Sequence, residues 1–287
     1  MKARAKTPAS MGELIQGKID GKEMLVSCPI NIYSLVEIEI LEGYGIKPHY
    51  KKVYKAFEIF LKRYGIYDIK ASDIKLSIYS DIPRSKGMAS STADISSSLV
   101  ALSRVLSISL SEEEIASLAV EAEPTDSTVF SQLTLYDHLY GKKIERIGPY
   151  LPIELLLLEG KEMVDTLEFR KDKDYLDLVP NLDEQYEKLK EAVKDKDIKS
   201  LGEVCTESAF ANQKLLYKPY LEELFNMAMD YNSPGIITGH SGSVSGIIIN
   251  DDTDKAQLLH NIREAFGFHF NNIYFTHTVK GGTSLVF

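Results

Sequence analysis

Cysteine is scarce in this chain of 287 residues, which has only two, and tryptophan is absent. Cys28 and Cys205 lie far apart, and neither stands in a CxxC or CxxH pair of the kind that binds zinc. Two thiols are also too few for the disulfide framework of a small secreted protein. The sequence therefore disfavours a structural zinc site and a disulfide-stabilised fold.

Long apolar runs and an excess of positive charge are also missing. The densest apolar run, Leu155 to Leu158, is far shorter than the ~20 residues of a membrane helix, and no apolar segment follows the basic N-terminus. The 33 lysines and arginines are outnumbered by 42 aspartates and glutamates, so the net charge is −9. We therefore expect a cytoplasmic protein that binds neither membranes nor nucleic acid. A local site for a small anion is compatible with this charge, and the oligomeric state is not indicated.

Hydrophobic residues make up 44% of the chain, enough for one large domain or two ordinary ones with a buried core. Residues 74–79 alternate between apolar and polar, which predicts a strand, and apolar residues at 95, 99, 102 and 106 then follow a helical period. Ser111 and Glu114 form a capping-box pattern before a second helix, which Pro124 ends.

The second half of the chain opens with a predicted buried strand at 153–160. Helices are predicted near 183–195, 197–211, 219–231 and 254–266, with strands at 235–238, 245–250 and 272–278 and a last strand in the closing "SLVF". This mixture predicts an α+β fold. We place a domain boundary near residue 150, which gives an N-terminal domain of residues 1–150 and a C-terminal domain of residues 151–287.

A turn of small residues, "IPRSKGMASSTADI", joins the strand at 74–79 to the following helix. The first N–H groups of a helix have no internal partner and carry partial positive charge, so a phosphate bound there collects several hydrogen bonds. Gly87, Ala89 and Ser90 leave room for such an approach, and Lys86 adds a full charge. The Walker pattern is absent. A plain serine N-cap is the structural alternative, and the turn alone does not decide between them.

Two other segments bear on this choice. "VEAEPTDSTVF" brings Glu121, Glu123 and Asp126 together at the end of a helix, where carboxylates are unfavourable unless a metal ion or solvent compensates them. "ITGHSGSVSGIIIN" places Gly239, Gly242 and several serines between two apolar strands. An ordinary hairpin needs fewer small residues than this, although a hairpin turn is the alternative. His240, within that segment, is either a turn residue or a ligand contact.

Taken together, these segments resemble the three motifs of the GHMP kinases. Residues 83–93, "PRSKGMASSTA", are similar to the family's phosphate-binding motif; "PASMGELIQG", from residue 8, resembles its first motif; and "TGHSGSVSG", from residue 238, resembles its third. The resemblance implies an N-terminal domain like ribosomal protein S5 domain 2, a ferredoxin-like C-terminal domain, and ATP with Mg²⁺ as cofactors. "LVSCPINIYS" and "EPTDST" add a closer resemblance to the branch that phosphorylates free L-threonine for adenosylcobalamin synthesis.

The resemblance also implies roles for individual residues. ATP-binding residues are expected at two places in the chain: Pro83, Arg84, Ser85, Lys86, Gly87, Met88, Ala89, Ser90, Ser91 and Thr92 in the second motif, and Gly239, Ser241 and Gly242 in the third. Ser91 and Glu123 are expected to hold Mg²⁺, with Glu121 as the alternative carboxylate. Asp126, Ser91 and Lys86 are the expected catalytic residues, and Asp126 is either a base or a binding residue.

L-Threonine is the small-molecule substrate that the branch resemblance implies. Its carboxylate and ammonium need partners, and Ser10, Gly12, Glu13 and Asp126 are the expected substrate-binding residues. Several family members have a lysine where this chain has Ser10. Two alternatives are kept: a kinase of homoserine or another small alcohol, and a family member that binds ligands without catalysis. Assays of ATP consumption with different alcohols distinguish them.

Overall fold

The computed structural model describes residues 2–162 and 175–287, and ten strands of this part of the chain form one sheet. The strands are β1 (Lys2–Ile19), β2 (Lys22–Ile40), β3 (Ile74–Ser80), β4 (Leu133–Tyr136), β5 (Ile144–Gly148), β6 (Glu154–Gly160), β7 (Gly235–Thr238), β8 (Val244–Ile249), β9 (Phe270–His277) and β10 (Ser284–Val286). Their order is β5-β4-β2-β1-β7-β8-β6-β9, with β3 also paired to β2 and β10 to β1. All these pairs are antiparallel.

The first two strands form a long hairpin that the sequence patterns did not predict. Asp20 and Gly21 both have positive φ, 50° and 70°, which gives the tight two-residue turn that suits the twist of a hairpin. The register of β1 against β2 shifts between Pro8 and Ala9 and again on both sides of Glu13. Such irregularities bend a strand and re-aim its side chains. They bring β1 to β7, where Glu13 pairs with Thr238.

Helices cover the sheet and bury their apolar stripes against it. The described helices are α1 (Lys51–Arg63), α2 (Ser90–Val105), α3 (Glu112–Ala122), α4 (Tyr175–Leu178), α5 (Asp183–Asp195), α6 (Ile198–Ala211), α7 (Leu221–Asp230) and α8 (Lys255–Phe266). The first three pack with β2 and β3 in one core, in which Phe57, Phe60 and Leu99 are fully buried. A second core joins β6 and β8 to α7 and α8, around Leu156 and Ile247.

Most of the predicted elements are confirmed. Ser111 Oγ accepts a hydrogen bond from the Glu114 amide at 3.2 Å, and Glu114 Oε2 accepts one from the Ser111 amide at 2.8 Å, as the capping box requires. The helices and strands predicted from residue 183 onward occur with their ends shifted by at most two residues. The α+β class follows from this mixture, whereas the boundary near residue 150 stays a prediction. The sheet runs through both parts, and β10 returns to β1.

The two cysteines do not form a disulfide. Both are free and buried, and burial raises the pKa of Cys28 to about 12 and that of Cys205 well above its ordinary value. Their thiolates are therefore strongly disfavoured at neutral pH. Within the described ranges, none of the helices has the length and apolar character that crossing a bilayer requires.

Candidate active site

The three glycine-containing segments meet backbone to backbone in the middle of the sheet. The Ser10 amide donates to the Met88 carbonyl at 3.1 Å, and the Val244 amide donates to the Lys86 carbonyl at 3.0 Å. A Cβ at Gly12 would lie 2.3 Å from the Thr238 carbonyl oxygen, and one at Gly242 would lie 2.2 Å from the Gly87 nitrogen. Glycine at these positions permits a contact that any side chain would block.

The turn before α2 has the geometry of an anion-binding loop. Ser85, Gly87 and Ala89 have positive φ angles of 59°, 76° and 58°, so left-handed residues alternate along the turn. Alternation of this kind turns successive N–H groups inward, as in the nests that bind phosphate. Ala89 is the N-cap of α2, and no described side chain caps the helix. The serine N-cap considered as the alternative is therefore wrong, and the helix begins at Ser90 with its first amides available to a ligand.

The two residues expected to hold the metal lie in contact. Ser91 Oγ, in the first turn of α2, donates to Glu123 Oε1, just past the end of α3. Lys52 Nζ lies 2.5 Å from Glu123 Oε2 and balances the carboxylate. Glu121 instead pairs with Arg63 at 2.6 Å and remains half exposed. The geometry therefore favours Glu123 over Glu121 as the partner of Ser91.

This pair suits Mg²⁺ in the chemistry of its donors. Mg²⁺ prefers oxygen ligands and is bound by one or two carboxylates together with substrate phosphates and water. A hydroxyl and a carboxylate in contact, beside a helix N-terminus suited to phosphate, supply that set. No cluster of three or more metal-ligating His, Cys, Asp or Glu side chains occurs among residues 2–162 and 175–287. The assignment of Ser91 and Glu123 to a metal stays a prediction.

Asp126 is held beside the first turn of α2. Thr92 Oγ1 donates to Asp126 Oδ2 at 3.0 Å and accepts from the Asp126 amide at 3.1 Å. Thr125 Oγ1 donates to the Glu123 carbonyl at 2.9 Å, which tightens the turn between the two acidic residues. Thr92 thus orients Asp126 through two bonds, and one segment places both Glu123 and Asp126 at the helix N-terminus.

The structure adds a carboxylate that the sequence interpretation missed. Asp94 is buried one turn after Ser91, and its Oδ1 accepts a hydrogen bond from Ser34 Oγ at 2.5 Å. Arg84 Nη2 lies 3.7 Å from its other oxygen. Burial raises the pKa of Asp94, and the nearby charge of Glu123 acts in the same direction. The spacing of three residues from Ser91 on one helix is the sequence signal that would have indicated it.

The ammonium of Lys86 binds backbone carbonyls at the end of β6. Its buried ammonium donates to the carbonyls of Lys161 and Glu162, at 2.9 Å each, just beyond the end of β6. Met88 packs its side chain into the core, so only its backbone faces the loops. The catalytic role of Lys86 stays a prediction. ATP binding also stays a prediction for every expected residue of the two loops: Pro83, Arg84, Ser85, Lys86, Gly87, Met88, Ala89, Ser90, Ser91, Thr92, Gly239, Ser241 and Gly242.

The residues expected at the substrate have partners within the fold. Ser10 Oγ accepts from the Cys28 amide at 3.1 Å and donates to the Gly12 carbonyl, so it supports the bend of β1. Glu13 Oε2 accepts from the His240 amide at 2.7 Å and lies 3.2 Å from His240 Nδ1. His240 Nε2 lies 2.9 Å from Ser208 Oγ on α6. His240 therefore fastens the third loop to β1, and a ligand contact by His240 stays a prediction.

Comparisons with known proteins agree with this arrangement. The model of the GHMP kinases N terminal domain matches residues 51–132. An L-threonine kinase of Citrobacter freundii is 35% identical over 290 residues, covering 99% of both chains. Among solved structures, mevalonate diphosphate decarboxylase of Staphylococcus aureus superposes with a TM-score of 0.78 at 15% identity, covering 100% of this chain and 98% of the other. Homoserine kinase of Cytophaga hutchinsonii gives 0.72 at 13%, covering 99% and 97%.

The two structural matches are too distant in sequence to show more than the fold, which they do over the whole chain. They confirm the GHMP kinase architecture that the motifs implied. The relative at 35% identity shows the family, and it supports an enzyme that uses ATP to phosphorylate an alcohol. On this sequence similarity, and with the three motifs assembled around the start of α2, the chain belongs to the GHMP kinase family.

Proposed function

We propose that the protein transfers the γ-phosphoryl group of ATP to the side-chain hydroxyl of free L-threonine, giving O-phospho-L-threonine, ADP and a proton. The observation that carries the substrate is the 35% identity to an L-threonine kinase over 99% of both chains. The observation that carries the chemistry is the Ser91–Glu123 contact beside an uncapped helix N-terminus. We place this reaction in the cytoplasm, as a source of phosphothreonine for cobalamin assembly.

The start of α2 and the third loop are the proposed cradle for the triphosphate. Backbone N–H groups of the turn from Ser85 to Ala89 and of the first helical turn bind phosphate oxygens. Ser91 and Glu123 hold Mg²⁺, which when bound neutralises charge on the transferring phosphoryl group. Phosphoryl transfer needs little covalent help from the protein, so most of the rate comes from orientation and charge stabilisation.

Asp126 is the proposed partner of the substrate on the other side of the phosphate. Its position is fixed by two hydrogen bonds from and to Thr92, so its carboxylate has a defined orientation. It either accepts the hydroxyl proton or pairs with the substrate ammonium. These roles differ kinetically, because a lost base lowers kcat whereas a lost binding partner raises KM.

The segment from Ser10 to Glu13 is the proposed wall of the amino-acid site. Gly12 is in contact with the start of the third loop, so a substrate bound here lies beside the ATP-binding turns. Glu13 already binds His240, which leaves it to act as a fixed negative charge rather than as a mobile side chain. The Ser10 hydroxyl is engaged with the Gly12 carbonyl and Cys28, so it acts on the substrate through the shape of the bend.

A panel of alcohols under identical ATP and Mg²⁺ tests the proposal, with the phosphorylated product identified in each case. Threonine is expected to exceed serine in kcat/KM by roughly 10- to 200-fold, which is the value of one methyl group in an apolar site. Homoserine extends its hydroxyl by one carbon and is expected to react more slowly than threonine. Faster turnover of homoserine would make this a kinase of a different amino alcohol. If no alcohol gives a phosphorylated product, the protein is a family member that binds ligands without catalysis.

A further inference from the structure

A lysine outside the three motifs lies buried against the third loop. Lys218, between α6 and α7, is 5% exposed, and its ammonium donates to the Gly239 carbonyl at 3.0 Å. Its backbone is fixed as well, because the Lys218 amide donates to Gln213 Oε1 at 2.8 Å and Gln213 Nε2 donates to the Lys218 carbonyl at 3.0 Å. The protein thus builds a rigid position for a buried cation.

Among the described residues, no carboxylate forms an ion pair with Lys218. Glu13 and Glu162 are the acidic residues whose charges reach it, yet neither forms an ion pair within 4.0 Å, and Glu13 is bound to His240. Burial lowers the pKa of Lys218 to about 8, against the opposing effect of these two carboxylates. A buried cation without a counter-ion costs free energy, so its retention needs another reason.

The residue that precedes Gly239 carries a buried polar group with no hydrogen-bond partner among the described residues. Thr238 Oγ1 has no hydrogen-bond partner among the described residues, and Thr238 directly precedes the glycine that Lys218 binds. Thr238 also pairs with Glu13 across the sheet. At the start of the third loop, a cation that has a carbonyl partner but no described counter-ion and a hydroxyl that has no described partner indicate a place for a ligand oxygen.

The position of Lys218 relates this place to the reactants. The carbonyl that it binds belongs to Gly239, which is packed against Gly87 of the ATP-binding turn and lies beside Gly12 and Glu13 of the proposed amino-acid site. The amides of the first turn of α2 already serve the triphosphate, whereas no cation has been assigned to the substrate carboxylate. A lysine near Glu13 provides one.

We propose that Lys218 is a binding residue for an oxyanion of a reactant, with the carboxylate of the amino-acid substrate as the oxyanion that its position favours. This inference rests on the proposed function for the identity of that substrate. Lys218 acts by binding and orienting the amino acid, so that its hydroxyl is directed toward the phosphate. A charge-assisted hydrogen bond to a carboxylate is typical for such a role.

The first test compares K218M with wild type in KM for threonine and for ATP. Loss of a charge-assisted bond is expected to raise the KM for threonine by roughly 10- to 100-fold and to leave the KM for ATP within about threefold. A rise in the KM for ATP alone would assign the oxyanion to a phosphate. If neither KM changes, the inference is overturned. The matched control is K214M, the same substitution at an exposed lysine of the same loop, which is expected to behave as wild type.

Thermal stability separates binding from a structural role. If Lys218 is retained for a ligand, replacing its buried charge by an apolar side chain of similar length leaves the melting temperature of the ligand-free protein unchanged or higher. A large fall in melting temperature with unchanged KM values would assign Lys218 to the fold and contradict the proposal.

The second test removes the carboxylate from the substrate instead. Wild type is expected to have a higher kcat/KM for threonine than for threonine amide. The ratio of these two values is expected to fall at least about tenfold in K218M and to stay unchanged in K214M. An unchanged preference in K218M would overturn the carboxylate assignment. If wild type phosphorylates a different amino acid, the proposal of threonine as the substrate is refuted. The role of Lys218 is then tested by comparing that amino acid with its amide.

Discussion

Substitution of Gly242 by alanine tests whether contact between the two glycine loops sets the geometry of the site. A Cβ at Gly242 would lie 2.2 Å from the backbone nitrogen of Gly87 and from the carbonyl carbon and oxygen of Lys86. Ordinary van der Waals contact begins at 3.4 Å, so the backbones must separate by about 1.2 Å. Because Gly87 belongs to the turn that leads into α2, this shift moves the amides that we propose bind phosphate.

The expected result for G242A is a fall of about 10²-fold in kcat/KM for threonine, since a misplacement of about 1 Å typically costs that much. Overpacking is expected to lower the free energy of unfolding by only about 1–3 kcal/mol, so circular dichroism should still show a folded protein. The control is G148A, whose Cβ would meet only a side-chain methyl of Val193, at 3.0 Å. A value of kcat/KM for G242A within about threefold of wild type would refute the reasoning.

Three further outcomes are expected. S91A and E123Q should each lower kcat by roughly 10²–10³ at saturating Mg²⁺, while E121Q stays near wild type; equal activity in all three would contradict the metal assignment. D126N should lower kcat by about 10²–10⁴ if Asp126 is the base. If Asp126 binds the substrate ammonium instead, D126N should raise the KM for threonine. If neither kcat nor KM changes, Asp126 has a structural role. The pKa of Lys218 is about 8 in the folded protein, below the value of 10.5 in the unfolded chain. Between these two pH values the unfolded state binds more protons than the folded state, so the free energy of unfolding of wild type rises with pH. The excess stability of K218M over wild type, up to about 3 kcal/mol at neutral pH, should therefore shrink across that window in denaturant titrations.

The sequence predicted the elements whose patterns are local. The helix at 90–105 and the capping box of α3 could be predicted because apolar spacing and cap residues act over one or two turns. The long β1–β2 hairpin was not predicted, although residues 2–6 and 36–40 alternate between polar and apolar residues as strands do. The central parts of both strands are buried on both faces and do not alternate, so only the outer ends of the hairpin carry the pattern. Its turn, Asp20-Gly21, carried a signal that was overlooked.

The proposed metal pair, Ser91 and Glu123, shows what a motif supplies and what only three-dimensional structure adds. The resemblance named Ser91 and Glu123, and the spacing alone left Glu121 as an alternative. The choice depends on where α1 packs, since Arg63 binds Glu121 at 2.6 Å and Lys52 lies 2.5 Å from Glu123. Long-range packing of that kind leaves no trace in the spacing of acidic residues.

Lys218 could not be predicted from the sequence either, because nothing around it in the sequence distinguishes it from a surface lysine. Its neighbour four residues earlier, Lys214, is exposed, whereas Lys218 is buried against Gly239. The difference arises because the chain between α6 and α7 crosses the start of the third loop. Through that crossing, the proposed site combines motif residues assigned to phosphate with a scaffold lysine assigned to the second reactant.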